Sequence, residues 1–122
     1  MIVAGFGFSS AATAESLHDV YHRAAGGHFV TALATAQDKA AHPALTAFAA
    51  KLHLPVLGIP APDLGAARTL TQSRRSATER GTGSVAEAAA LAAAGPDARL
   101  IAPRHISTDR LATCAVAIGG QT

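Results

Sequence analysis

Apolar residues in this chain come in short runs, and their spacing switches between two periods. Ile2–Phe8 is apolar throughout and bounded by turn residues, which predicts a buried strand. Ser9 or Ser10 then caps a helix running to about Ala25, with Leu17, Val20, Tyr21 and Ala24 on one face. Gly26-Gly27 ends that helix. His28–Ala36, rich in Val, Thr and Leu, predicts a second strand. Pro43 fits the first turn of the next helix, about Pro43–Leu52, whose inward positions are Leu45, Phe48, Ala49 and Leu52. Leu54–Ile59 predicts a third strand, stopped by Pro60 and Pro62, and Asp63–Ala67 a single helical turn.

Arg68–Gly83 is polar and basic without an apolar period, and reads as a loop. Ser84–Ala94 is the clearest helix. Ser84 and Glu87 have capping-box spacing, and Gly95-Pro96 stops the alanine-rich turns. Arg99–Ala102 and Leu111–Ile118 predict two closing strands that turn at Ser107-Thr108-Asp109. The order β-α-β-α-β-loop-α-β-β predicts an α/β fold. We expect a single three-layer α/β/α domain over residues 1–122, with a mixed, partly parallel five-stranded sheet.

Composition narrows what fills such a domain. Alanine supplies 31 of the 122 residues, aromatics are 4% and Trp is absent, so the core is built from Ala, Val, Leu and Ile. Small side chains let backbones approach closely, which predicts helices pressed tightly onto the sheet. A mean hydropathy of +0.25 raises the question of a membrane. The longest stretches without Asp, Glu, Lys or Arg, Met1–Ala14 and Ala24–Gln37, are 14 residues, short of the ~20 a spanning helix needs. The first of them has no basic segment before it and holds Gly5 and Gly7, unlike a secretory signal. One Cys excludes an intrachain disulfide framework. The expectation is a soluble cytoplasmic protein with no membrane partner.

Net charge is only +2, yet Arg68, Arg74, Arg75 and Arg80 crowd one 13-residue stretch in which Glu79 is the one acid. Eight of the ten basic residues are Arg, whose planar fork of donors suits carboxylate or phosphate. That bias points to an anionic ligand. No aromatics interleave the basic loop, so nucleic acid is not an expected partner.

Gly5-Phe6-Gly7-Phe8-Ser9-Ser10 follows a strand and opens a helix, the context in which backbone N–H groups hold anions. It lacks the third glycine of a dinucleotide fingerprint, having Ser10 there. Gly81-Thr82-Gly83-Ser84 repeats the arrangement at a second helix start, and Asp38-Lys39 follows the second strand. All three are expected at one edge of the sheet, where open α/β sheets take ligands. His18-Asp19-Val20-Tyr21-His22 with His28 resembles a zinc-binding helix, but Asp19 stands where the general-base Glu belongs and Ala25 where the turn glycine belongs. The apolar face leaves His18 and His22 on the solvated flank, so no metal ligands are expected. Cys114, among Ala, Val and Ile, reads as a buried small hydrophobe.

Taken in order, the motifs are Val3–Ser10 with Ala14-Glu15, Leu33-Ala34-Thr35 with Lys39, Pro55–Pro60, Thr71-Gln72-Ser73, Gly83–Ala90 and Ala115–Ile118. Their order and spacing resemble the CobE/CbiG C-terminal domain family of cobalamin (vitamin B12) biosynthesis, over nearly the whole chain. The resemblance implies a stand-alone member of that family, serving the aerobic route of corrin-ring construction. Longer relatives carry additional N-terminal domains and resemble a hydrolase that opens the δ-lactone of a cobalt-precorrin, releasing acetaldehyde. The length of 122 residues leaves no room for those domains. Gln37 and His42 stand where the longer relatives' pattern has acids flanking the matched Lys39, and Arg104 where it has Lys.

Corrinoid intermediates are large macrocycles edged with acetate and propionate carboxylates. The expected function is therefore binding of a polycarboxylate precorrin or corrin intermediate, as carrier or accessory factor, with no cofactor. Expected ligand-binding residues are Gly5, Gly7, Phe8, Ser9, Ser10, Lys39, Arg74, Arg75, Gly83, Ser84 and Arg104. Phe6 or Phe8 would touch the ring face, with one of the two in the core. Two alternatives stay open. One is a pathway enzyme acting on the macrocycle, precorrin lactone hydrolase-like, with Glu87 or Glu15 as acid–base candidate. The other is a non-catalytic partner of other cobalamin-pathway enzymes, docked through the basic loop.

Overall fold

A computed structural model of the chain describes residues 1–67, 69 and 84–119. Within them run β1 (Ile2–Phe8), α1 (Ala14–Ala25), β2 (Ala32–Ala36), a 3₁₀ turn (Gln37–Lys39), α2 (Pro43–Leu52), β3 (Val56–Ile59) and α3 (Ala61–Ala66). Then come α4 (Val85–Ala94), β4 (Arg99–Leu100), β5 (His105–Ile106) and β6 (Ala112–Ile118). β1, β2 and β3 pair in parallel, with Ala4 opposite Leu33 and Ala34 opposite Leu57. β6 runs antiparallel along the whole of β1, from Ile2 against Ile118 to Phe8 against Ala112. The strand order is β3-β2-β1-β6-β4, with β5 also on β6.

The mixed, partly parallel sheet with helices packed on it matches the expected α/β fold, but six strands replace the expected five. The segment Arg99–Ala102 is not one strand. β4 ends at Leu100 and the ladder resumes at β5, both antiparallel to β6. Pro103 has no N–H to give a ladder, and the N–H of Arg104 goes instead to the carboxylate of Glu87, 2.8 Å away. The basic loop expected over Arg68–Gly83 lies outside the described residues, except for Thr69.

Alternation along β1 divides its side chains between two faces. Ala4 and Phe6 enter a core with Leu17, Val20, Leu45, Phe48 and Cys114, beneath α1 and α2. Val3 turns the other way, to a cluster with Ala34, Ile59, Leu64, Ala88 and Ala89, beneath α3 and α4. Phe6 stacks near Tyr21 and meets Phe48 edge-on, with centroids 6.5 and 6.0 Å apart. The second face has no aromatic side chain in its cluster and is closed by proximity instead. A Cβ on Gly5 would lie within 2.1 Å of the Ala86 carbonyl oxygen and 2.6 Å of Ala90 N. α4 therefore sits with its backbone almost on β1, and Ala86, Glu87, Ala88, Ala89 and Ala90 are all fully buried.

The first helix starts later than expected. Neither Ser9 nor Ser10 caps it; Thr13 does, in a complete capping box with Ser16. Ser9 is held back by β6, because its N–H donates to the Leu111 carbonyl at 3.0 Å, and a turn closes from Ala12 N–H to the Ser9 carbonyl. Gly26 then ends α1 at φ 55°, a conformation glycine adopts without strain. The second strand is shorter than His28–Ala36, since His28 N–H is spent on the Ala25 carbonyl at the end of α1.

The packing of α4 yields a sharp contrast between two glycines. Gly5→Ala puts a methyl group into fixed backbone and is expected to destabilise the protein by at least the ~1–3 kcal/mol usual for overpacking. Gly27→Ala meets open space and is expected to leave stability within about 0.5 kcal/mol. Chemical denaturation of the two variants checks this.

Candidate functional site

β1, β2 and β3 end at one edge of the sheet, and β6 begins there because Ala112 pairs with Phe8. Ligands in open α/β sheets bind outside this carboxyl edge. Phe6 and Phe8 share one face of β1 but differ in depth. Phe6 is fully buried, whereas Phe8, at the end of the strand, is half-buried. The Phe8 ring stands edge-on to His42 with centroids 5.1 Å apart. Lys39 Nζ lies 5.3 Å from the centre of the same ring, a cation–π distance.

His42 ties this cluster to two elements. It is the N-cap of α2, and its Nδ1 accepts from Ala44 N–H at 3.1 Å. An accepting Nδ1 carries no proton, so Nε2 holds it and donates to the Ser10 carbonyl at 3.0 Å. The Ser9–Ser10 turn is thereby fastened to α2. Its other neighbour is β6, through the bond from Ser9 to Leu111. The Ser9 hydroxyl is buried and has no hydrogen-bond partner among the described residues.

On the opposite face the amino end of α4 rests on Gly7, where a Cβ would come within 3.3 Å of Val85 Cβ and 2.9 Å of Thr113 Oγ1. Ser84 is buried and accepts the Glu87 N–H at 3.3 Å. The Glu87 side chain is also fully buried and reaches past β6 to Arg104. This helix end brings partial positive charge to the edge.

The β5–β6 turn forms a third wall. Asp109 accepts from the Ser107 and Ser16 hydroxyls, both at 2.6 Å, and from Leu111 N–H at 3.0 Å. These bonds, Ser107 first, hold its carboxyl below the usual aspartate range. Asp19 is lowered in the same way, first by Thr108 N–H and then by the Arg23 guanidinium, with which it forms an ion pair at 3.0 Å. The turn is thus pinned to α1 at two points.

Of the residues expected at the site, Gly7, Phe8, Ser9, Ser10, Lys39 and Ser84 lie together at this edge. Glu87 and Arg104 adjoin them on the β6 side. Gly5 does not reach the edge; it is buried under α4. Glu15 is exposed on the first turn of α1, and no hydrogen bond or ion pair joins it to the cluster among the described residues. Arg74, Arg75 and Gly83 lie outside the described residues. His42 is the residue the sequence reading passed over as a site member, although its position just before Pro43 marks it as a helix cap. Cys114 is buried under α1 and α2, and burial raises its thiol above the usual range, leaving no nucleophile there.

The features gathered at this edge are an aromatic ring beside a cation, a helix amino end and a buried hydroxyl without a partner among the described residues, on an open α/β sheet. The chain matches the family described as Cobalamin synthesis G C-terminus over residues 2–117, and it belongs to that family. It is a protein of cobalamin biosynthesis. It is similar to CobE, a protein from the cobalamin (vitamin B12) biosynthetic pathway, at 32% identity and a TM-score of 0.87, covering 96% of this chain and 89% of that one. It is also similar to the cobalamin biosynthesis protein chiG from Agrobacterium tumefaciens str. C58, at 36% identity and a TM-score of 0.75, over 99% of this chain and 100% of that one. A putative cobalamin biosynthesis protein G homolog from Sulfolobus solfataricus shares the fold, with 20% identity and a TM-score of 0.69; the match covers 97% of this chain but 36% of that one. No curated protein matches the chain. Among the described residues no helix is long and apolar enough to cross a membrane.

The Asp109 wall carries a pH dependence whose sign follows from the lowered carboxyl. A depressed folded pKa contributes stability that is present above the ordinary value of 3.8 and lost as the pH falls through the folded value. Asp109→Ala is expected to lower the melting temperature at neutral pH and to flatten its acid dependence. The wild-type and variant curves should converge in acid, which thermal melts at stepped pH will show.

Proposed function

We propose that the chain binds a polycarboxylate precorrin or corrin intermediate at the carboxyl edge of its parallel strands, acting as carrier or accessory factor in the cytoplasm. The observation that carries this reading is the Phe8 ring at the strand end, flanked by Lys39 and His42. A flat macrocycle needs an apolar plate for its face and donors for the carboxylates around its rim. Phe8 supplies the plate. Lys39 and the amino end of α4 supply positive charge on either side of β1, and Arg104 adds a cation on the β6 side. Arg74 and Arg75, in the segment that leads into α4, extend the same chemistry in sequence. Membership of a cobalamin-synthesis family makes a tetrapyrrole of that pathway the anion of choice.

The catalytic alternative gains nothing from the position of its candidates. Glu87 is fully buried and spends a carboxylate oxygen on Arg104 N–H, the work of a group that fixes a loop. Glu15 is exposed and makes no hydrogen bond or ion pair to the cluster among the described residues. The reading in which the chain docks on another pathway enzyme through its basic loop rests on that loop alone.

Absorbance titration of the purified protein with hydrogenobyrinic acid is expected to give a saturable spectral change. Lys39→Glu, and Arg74→Glu with Arg75→Glu, should each weaken uptake about ten- to hundredfold, the equivalent of a charge-assisted contact of ~1.5–3 kcal/mol. Lys51→Glu, at the far end of α2, should leave it unchanged. No saturable change, or equal effects at Lys39 and Lys51, would sink the proposal.

A further inference from the structure

His18 and His22, one turn apart on α1, converge. Their Nε2 atoms are 3.0 Å apart and their ring centroids 4.3 Å, although both residues are exposed and have water to solvate them. Aromatic neighbours hold both rings: Phe48 meets the His18 ring at 6.3 Å and 90°, and Tyr21 the His22 ring at 6.0 Å and 76°. The nearest cation on the helix is turned away, because Arg23 is engaged by Asp19 and Thr108. Two donors that bond one ion at ~2.0–2.1 Å and lie 3.0 Å apart subtend about 94° at it. That is the near-right angle of octahedral or square-planar coordination rather than the wider tetrahedral one.

We infer that His18 and His22 form a two-imidazole site for a late first-row divalent cation, with copper(II) and nickel(II) preferred to zinc and water in the remaining positions. The three-histidine zinc pattern is not what the fold builds. His28 Nδ1 lies 3.0 Å from the Ala25 carbonyl oxygen at the end of α1, and no group of three or more His, Cys, Asp or Glu among the described residues is placed to hold a metal. An open two-ligand site binds reversibly and leaves coordination positions for an incoming ligand. It uses exposed residues of α1, shares none with the Phe8 edge, and does not depend on the function proposed above.

Calorimetric titration of tag-free protein with nickel(II) tests it. One equivalent should bind saturably, and nickel should raise the melting temperature. His18→Gln and His22→Gln keep good helix formers on an exposed face, so both should melt like wild type without metal. Each should lose nickel affinity by at least the ~10–100-fold that even outer-sphere partners cost, while His28→Ala and His53→Ala leave it unchanged. No saturable one-to-one binding, or binding that survives His22→Gln or follows His28 or His53, would overturn the inference and leave a plain N–H···N hydrogen bond between the rings.

Discussion

The closeness of α4 to β1 is the constraint on which the rest of this structure depends. Gly5 has the Ala86 carbonyl oxygen and Ala90 N where a side chain would begin, so the helix is seated on the strand backbone itself. Dispersion is gained here by many short contacts between small groups rather than by large interlocking side chains. The other face of the sheet is built differently. There Phe6, Tyr21 and Phe48 fill the space beneath α1 and α2. One thin layer and one thick layer follow from where the few aromatics fall on the alternating strands.

That seating also decides what stands at the carboxyl edge. Once Gly5 fixes the axial position of α4, its first turn falls on Gly7 and its capping Ser84 becomes buried at the edge. Glu87, one turn in, is then level with the β4–β5 connection and captures Arg104 N–H. On the other face His42 caps α2 with one ring nitrogen and holds the Ser9–Ser10 turn with the other. Phe8 and Lys39 are thus framed by elements that are each tied to β1 or β6. For the proposed ligand, an edge so held needs little ordering on binding.

Much of this was legible in the sequence. Ser84–Ala94, with a capping Ser at its start and Gly95-Pro96 at its end, is a helix because local signals and burial agree. Cys114 is buried because it sits mid-strand among Ala, Val and Ile in a run covered on both faces. Pro43 starts α2 as its fixed φ dictates. The misreadings share a cause, which is that long-range bonds outbid local ones. Ser9 and Ser10 look like caps, but β6 and His42 claim that turn, and Thr13 with Ser16 makes the better box. Gly5 looks like part of a ligand cradle, but it is the floor under α4. The break between β4 and β5 depends on a carboxylate 17 residues away in sequence, which no local period reveals. At the candidate edge, Phe8, Ser9, Ser10 and Lys39 are legible because they follow strand ends, whereas His42 is not, because it bridges two turns distant in sequence.

The central claim is that the edge framed by Phe8, Lys39, His42 and the amino end of α4 receives a polycarboxylate macrocycle. Amide ¹H–¹⁵N correlation spectra recorded during titration with hydrogenobyrinic acid test it most directly, because they locate the contact without relying on a variant. The account predicts that saturable shifts concentrate at Phe8–Ser10, Lys39–His42 and Ser84–Glu87, while the Gly26–Thr31 connection at the far edge stays still. Shifts confined to that far edge, or none at saturating ligand, would contradict it.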